Sequence, residues 1–159
     1  MSARKKNLYL EIDGVILTRG VTPSAHLFTF LSYILSNYSV YWLTSWCQGN
    51  SFATVEYLSR FLSSECMALV KKIKPTSFRL DKTEAIDFGK EFFLLDNELF
   101  DSEINTLKRH NVYDSWIELN LMNNPDQLLD LVNNELSKTK KVLGGGEIYD
   151  RRRQKNRIY

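Results

Sequence analysis

Short apolar runs along the chain predict the strands of a β-sheet. They cover residues 8–10, 40–43, 92–95 and 116–119, of which the last is the weakest. The first three are continuously apolar rather than alternating, which is typical of strands buried on both faces of a parallel sheet. We therefore expect these three runs to lie inside such a sheet.

Amphipathic helices are predicted between the runs, because apolar residues recur there at spacings of three and four. The expected apolar faces comprise Leu27, Phe30, Leu31, Ile34 and Leu35; Val55, Leu58 and Leu62; and Leu128, Leu131, Val132 and Leu136. A short helix over residues 83–90 is also expected, with Asp81 as its N-cap. Residues 66–70 fit either a strand or a turn of helix.

This alternation of strands and helices predicts an α/β fold with a three-layer, Rossmann-like, doubly wound parallel sheet. The length of 159 residues favours one domain. We assign residues 1–143 to the α/β domain and residues 144–159, which open with three glycines, to a flexible basic tail. In such a sheet the carboxyl ends of the strands share one edge, and ligands bind beyond it.

Positive charge is concentrated at the end of the chain, although the formal net charge is only +2. Residues 137–159 hold eight Lys or Arg and two acids, a net +6, so the remainder, with 13 basic and 17 acidic residues, carries −4. A tail of this composition either solubilises the protein or contacts the phosphates of a nucleic acid. Nucleic acid is therefore one predicted partner, although no aromatic-rich recognition motif accompanies the basic residues.

Features that report on the cellular compartment favour the cytoplasm. The two cysteines, Cys47 and Cys66, do not make a disulfide framework, which favours a reducing environment. The basic start of the chain is like that of a signal peptide, but Glu11 and Asp13 interrupt the apolar run that follows, which argues against export. No run approaches the roughly 18 apolar residues of a membrane span. We expect a cytoplasmic protein without a membrane partner.

Polar residues of a particular kind follow three of the predicted strands. Glu11 and Asp13 follow the first, Thr44 the second and Asp96 the third, and Lys82 opens a helix before the third. A parallel sheet would bring all of them to one edge. Carboxylate oxygens suit Mg²⁺, whereas a hydroxyl and an ammonium suit the oxygens of a phosphate. The sequence therefore predicts a phosphoryl site that uses Mg²⁺.

Four segments resemble, in order, the four motifs of the haloacid dehalogenase (HAD) superfamily. Residues 8–17 resemble motif I, an apolar strand followed by Asp-x-Asp-Gly-Thr/Val; residues 40–45 resemble motif II, a strand ending in Thr or Ser; residues 82–86 resemble motif III, a Lys opening a helix; and residues 92–96 with Asp101 resemble motif IV. The set spans most of the predicted domain. The resemblance implies a hydrolase with a HAD-type α/β fold. It would be a phosphatase that requires Mg²⁺ and acts on a phosphorylated substrate.

The resemblance also implies roles for individual residues. Thr44 and Lys82 would hold the transferring phosphoryl group. Asp96 would bind the metal, and Asp101 would be a second ligand or a partner of one. Asp13 stands where the family has its general acid/base, whose backbone carbonyl also binds the metal.

Glu11 marks the one departure from the family pattern. It occupies the position of the nucleophilic, metal-binding Asp. An extra methylene displaces the attacking oxygen by about 1 Å, and misplacement of that size costs about 10²-fold in rate. Two interpretations therefore stay open: a phosphatase with reduced or substrate-specific activity, and a catalytically degenerate domain that binds a phosphorylated ligand or protein.

Two further expectations concern the surroundings of the site. Lys74 and Arg79 are alternatives to Lys82 as its cation. The interval from residue 46 to residue 81 holds 36 residues, which leaves no room for a large cap domain beside the core elements. Capless members of the superfamily tend to act on large substrates, so the resemblance also implies a macromolecular phosphoester.

Overall fold

A computed structural model of the protein describes residues 4–136. Its main sheet consists of β1 (Asn7–Leu10), β4 (Ser39–Trp42), β5 (Phe92–Asp96) and β6 (Trp116–Glu118), and a separate hairpin consists of β2 (Leu17–Thr18) and β3 (Thr22–Pro23). The main sheet is parallel throughout, in the order β4-β1-β5-β6. The predicted parallel α/β sheet is confirmed, whereas the proposed domain end at residue 143 and the tail at 144–159 lie outside the described residues.

Five α-helices accompany the strands within residues 4–136. They are α1 (Leu27–Asn37), α2 (Phe52–Leu58), α3 (Ser64–Val70), α4 (Asp101–Arg109) and α5 (Gln127–Asn133). Residues 66–70, whose sequence fits either a strand or a turn of helix, belong to α3. The Ser63 side chain caps this helix by accepting the Cys66 N–H at 3.3 Å. In this described part no helix combines the length and the apolar character that crossing a bilayer requires.

The helix predicted over residues 83–90 is wrong in type and length. A single 3₁₀ helix covers Lys82–Ala85, and Ile86 is already extended. The Asp87 side chain accepts the Gly89 N–H at 3.0 Å, so a local turn replaces the next helical turn. The predicted N-cap is confirmed, because the Asp81 carboxylate accepts the Thr83 N–H at 3.0 Å.

The sheet separates two apolar clusters, because successive side chains of a strand point to opposite faces. Leu8 and Leu10 of β1 face a large cluster formed with α1, α2, α3 and α5. Tyr9 and Leu94 face a smaller cluster formed with α4. Helices therefore cover both faces of the sheet, and this layered arrangement is compatible with a Rossmann-like α/β fold.

Hydrogen bonds extend the parallel ladder beyond the strand ends and bring polar residues level with one another. The Glu11 N–H donates to the Leu95 carbonyl at 3.2 Å, and the Leu43 N–H donates to the Leu10 carbonyl at 2.7 Å. As a result Glu11, Thr44 and Asp96 lie at the carboxyl ends of three neighbouring strands, on one edge of the sheet.

Candidate functional site

A buried cluster of one ammonium and two carboxylates lies at this edge. The Lys82 Nζ donates to Asp96 Oδ2 at 2.6 Å and also to Glu11 Oε2. Glu11 and Asp96 are only 8% and 1% exposed, and the Lys82 side chain is 14% exposed. The first residue of a 3₁₀ helix thus bridges the ends of two adjacent strands, and the three charges lie largely out of water.

Backbone amides hold the remaining carboxylate oxygens of the cluster. Glu11 Oε1 accepts the Ile12 N–H at 2.8 Å. Asp96 Oδ1 accepts the Glu98 N–H at 3.1 Å. Every oxygen of the two carboxylates therefore accepts a hydrogen bond. These four hydrogen bonds fix the positions of both side chains.

The cluster shifts the protonation equilibria of its members. Burial and the nearby Glu11 charge raise the pKa of Asp96 to about 7, against the opposing effect of the Lys82 ammonium. Burial disfavours the charged form of Lys82, but the carboxylates of Asp96 and Glu11 outweigh it and raise the pKa of Lys82. Lys82 consequently remains an ammonium, and the surroundings of Asp96 hold more negative charge than one cation balances.

Asp13 lies three residues beyond the end of β1, in the turn that leads to the β2–β3 hairpin. Its side chain is exposed to solvent. Partial burial and the neighbouring Glu11 raise the pKa of Asp13, while a hydrogen bond from the Trp46 side chain opposes the rise. A carboxyl group with a raised pKa at an accessible position is suited to donate and accept a proton.

A third buried carboxylate, that of Glu103, positions Lys82. Glu103 is 1% exposed. Its Oε2 accepts the Lys82 N–H at 2.8 Å, and its Oε1 accepts the Phe100 N–H at 2.9 Å. It therefore ties the start of the 3₁₀ helix to the start of α4. Glu103 is not among the residues predicted from the sequence, where the one available signal is its position in the first turn of a helix.

An open cavity of about 500 Å³ lies over the cluster. Its lining residues are Glu11, Asp13, Ser45, Phe78, Arg79, Leu80, Lys82, Asp96, Asn97, Glu98, Leu99, Phe100 and Glu103. Leu80 and Phe100 are 84% and 69% exposed, so two large apolar side chains stand at its mouth. A second cavity of about 470 Å³ shares Asp13 and Asn97 with the first, so the two meet at these residues.

The remaining predicted residues occupy different places. Thr44 is fully buried, and its hydroxyl accepts the Trp46 N–H at 3.4 Å, while its neighbour Ser45 lines the cavity. Asp101 is the exposed first residue of α4 and is not among the lining residues. Glu11, Asp13, Lys82 and Asp96 are therefore the members of the predicted set that line one cavity.

The two alternatives to Lys82 lie apart from the carboxylate cluster. The Lys74 ammonium lies 5.3 Å from the centre of the Tyr41 ring. Arg79 lines the cavity, and its backbone N–H donates to Glu84 at 2.9 Å. Only Lys82, of these three cations, donates to Glu11 and Asp96.

The carboxylates do not form a ready-made metal site. Between residues 4 and 136 no group of three or more His, Cys, Asp or Glu side chains is arranged to hold an ion. The donors at the edge, Glu11, Asp13 and Asp96, are nevertheless all carboxylates, the chemistry that Mg²⁺ prefers. With one ammonium among three acids, the fully ionised site carries an excess of negative charge.

Comparisons with known proteins identify no relative of this chain. The chain matches no protein-family model, no curated protein and no solved structure. What the fold and the site define is a class of protein: an α/β domain whose parallel sheet carries a buried lysine–carboxylate cluster beside an open cavity at its carboxyl edge.

Proposed function

We propose that the protein is a Mg²⁺-dependent phosphoryl hydrolase of the HAD type, without a large cap domain. One observation carries the proposal. Glu11, Lys82 and Asp96, which come from three of the motif-like segments, are in direct contact at the carboxyl edge of a parallel sheet. Asp13 lines the same cavity with a raised pKa.

In the proposed reaction the Glu11 carboxylate attacks the phosphorus atom of a phosphomonoester. The bond between phosphorus and the ester oxygen breaks, and Asp13 gives its proton to the departing oxygen. Water then attacks the phosphorus of the acyl phosphate on Glu11, Asp13 takes a proton from that water, and the Glu11 carboxylate is regenerated. Lys82 holds Glu11 in place and offers positive charge to the phosphoryl oxygens.

Magnesium is part of the proposal because the donor set fits it chemically. Glu11, Asp13 and Asp96 would hold the ion, with Glu11 and Asp96 also in contact with Lys82. When bound, Mg²⁺ would neutralise charge on the transferring phosphoryl group. The raised pKa values of Asp13 and Asp96 support the fit, because both arise in part from the repulsion by Glu11 that a further cation would relieve.

The lining of the cavity favours a phosphomonoester on an apolar or aromatic carrier. Five acids and two cations line it, which repels a polyanion such as a nucleic-acid strand. Leu80 and Phe100 at the mouth offer apolar contact to the part of the substrate that is not phosphorylated. The openness of the cavity is compatible with a macromolecular carrier.

A second candidate function is the binding of a phosphorylated ligand or protein without turnover. Both Glu11 oxygens already accept hydrogen bonds, from Lys82 and from the Ile12 N–H, and attack requires one of them to be released. Glutamate also reaches further than the aspartate of the family motif, so its oxygen does not fall at the attacking position without adjustment of the loop.

Phosphate release from an aryl phosphate, measured with and without Mg²⁺, tests the proposal. We expect Mg²⁺-dependent release by the wild type and its loss in Glu11→Gln, with Glu91→Gln, a carboxylate paired with Lys6 far from the cavity, as the matched control. We expect a gain in rate for Glu11→Asp, which restores the family nucleophile.

Thermal shift with Mg²⁺ and inorganic phosphate separates the two candidates. Stabilisation of the wild type without release supports the binding function. Absence of release by both the wild type and Glu11→Asp, together with absence of stabilisation, would contradict both candidates.

A further inference from the structure

A basic surface lies at the opposite edge of the sheet from the proposed phosphoryl site. Two cavities of about 480 Å³ each open there and share Lys5 and Tyr38. One is lined by Lys5, Ser32, Leu35, Ser36, Tyr38, Ser39, Val40, Leu69, Lys72 and Lys74, and the other by Arg4, Lys5, Lys6, Tyr33, Asn37, Tyr38 and Glu135. We call the surface formed by these two cavities the basic face.

The topology fixes this position. Lys5 precedes β1 and Ser39 begins β4, so the basic face lies at the amino ends of two parallel strands whose carboxyl ends carry the candidate site. Five cations and one acid line it. Five acids and two cations line the cavity over Lys82. The charges of the domain are thus separated between opposite edges of the sheet.

Much of the positive charge on the basic face is available to a partner. Lys72 is exposed, and within the described chain no hydrogen bond or ion pair engages its ammonium. The Lys5 ammonium donates to the Leu35 carbonyl at 3.4 Å, and the Lys74 ammonium lies over the Tyr41 ring. Lys6 pairs with Glu91 at 3.1 Å, and both side chains are exposed, so solvent screens the pair.

We propose that the basic face binds the phosphodiester backbone of a nucleic-acid strand without regard to its sequence. Lysine and arginine, supported by Ser, Asn and Tyr donors, are the groups that contact nucleic-acid phosphates. The basic face offers both kinds along two adjoining grooves. Both cavities are concave, as a strand laid along them requires.

The side chains of the basic face favour nucleic acid over a membrane surface as the partner. None of the large apolar side chains that are highly exposed in residues 4–136 lines either cavity, so the basic face offers nothing that inserts among lipids. In sequence, residues 137–159 follow directly after Glu135 and Leu136 and add a net charge of +6. Counterion release rises with each phosphate that is neutralised, so this charge adds to the affinity of the full chain for a polyanion.

The test uses the full chain and fluorescently labelled single-stranded RNA and DNA of one length, followed by anisotropy across a salt series. The variant Lys5→Gln/Lys72→Gln/Lys74→Gln removes three cations of the basic face. A charge-matched control, Arg60→Gln/Lys90→Gln/Arg109→Gln, removes three cations that line neither of its cavities. Lys5→Arg/Lys72→Arg/Lys74→Arg keeps the charge.

We expect the wild type to bind both nucleic acids and to lose affinity steeply between about 50 and 200 mM salt. The glutamine variant of the basic face should bind at least about tenfold more weakly, with a log–log salt slope smaller by about 2, because each lost contact to a single strand removes about 0.7. The arginine variant should bind like the wild type, and the distant control should change affinity less than about twofold.

Three outcomes would overturn the proposal. One is equal binding by the two glutamine variants at equal thermal midpoints. Another is binding that depends wholly on residues 137–159 and is indifferent to Lys5, Lys72 and Lys74. The last is binding to phosphatidylserine vesicles with none to either oligonucleotide. Because the proposed phosphatase is tested with substitutions of Glu11, at the other edge of the sheet, either proposal can fail while the other stands.

Discussion

Gly14 shows how a single residue shapes the turn that carries Asp13. Its φ is +81°, a left-handed conformation that glycine adopts freely. A Cβ at this position would lie 2.5 Å from the Asn97 Cγ, far inside contact distance. The turn after β1 and the loop after β5 therefore approach each other only because residue 14 has no side chain.

Gly14→Ala should destabilise the fold by more than the about 1–2 kcal/mol of left-handed strain, because the collision with Asn97 adds to it. Gly20→Ala is the matched control, since its φ is +76° and nothing lies within 4 Å of the added Cβ. Urea unfolding of both variants measures the difference. Equal losses in the two would contradict the argued contact with Asn97.

The contribution of the Lys82 charge to stability can also be measured by unfolding. Lys82→Met should lower the free energy of unfolding by about 3 kcal/mol or more, because Glu11 and Asp96 would lose their shared ammonium while remaining buried. Adding Glu11→Gln and Asp96→Asn should recover much of that loss, since the repelling charges are then gone. Denaturant unfolding checks both steps, and a triple variant no more stable than Lys82→Met would refute the electrostatic explanation.

At the scale of elements, Glu103 joins the 3₁₀ helix of Lys82 to α4. Glu103→Ala would leave the Lys82 and Phe100 N–H groups without their acceptors, and we expect a loss of about 2–4 kcal/mol. Asn105→Ala, an exposed substitution on the same helix, should change stability by less than about 0.5 kcal/mol. Thermal unfolding gives both values. A loss confined to activity, with wild-type stability, would show that Glu103 acts otherwise.

The cap of the 3₁₀ helix predicts a dependence on pH. The Arg79 and Asp81 N–H groups donate to the Glu84 carboxylate and hold its pKa below the usual value, Arg79 most strongly. A depressed pKa contributes stability that is present above the ordinary glutamate pKa and is lost as the pH falls through the lowered one. NMR titration of the Glu84 side chain in acid checks the direction. A midpoint at or above that of a free glutamate would contradict it.

These elements also show which features the sequence could predict. Strand ends at Glu11, Thr44 and Asp96 were predictable because parallel strands bring their carboxyl ends together by topology alone. The 3₁₀ helix was not, since a helical apolar spacing says nothing of the local turn that Asp87 makes with Gly89. Glu103 was missed because its role depends on a contact with Lys82, which lies 21 residues earlier in the chain.

At the scale of the molecule, the sheet couples the two apolar clusters. Every strand residue that faces one cluster has neighbours that face the other, as Leu10 and Tyr9 do on β1. If the helices on one face separated from the sheet, they would expose strands whose other face holds the second cluster. We expect both clusters to unfold together in one transition.

Leu10→Ala and Leu94→Ala, one on each face, should each cost about 2–5 kcal/mol, because both side chains are fully buried. Leu80→Ala, at a side chain that is 84% exposed, should cost little. Unfolding followed by fluorescence and by circular dichroism should give coincident midpoints in all three. Two separated transitions in either core variant would disprove the coupling.

The meeting of two cavities at Asp13 and Asn97 has a practical consequence for chemists who design probes. Fragments found separately in each cavity would have their nearest ends at the same two side chains, so a short tether could join them. Such a tether makes the second binding event intramolecular, at an effective concentration of about millimolar for a short flexible linker. A pair of weak fragments would thereby become a single ligand of higher affinity.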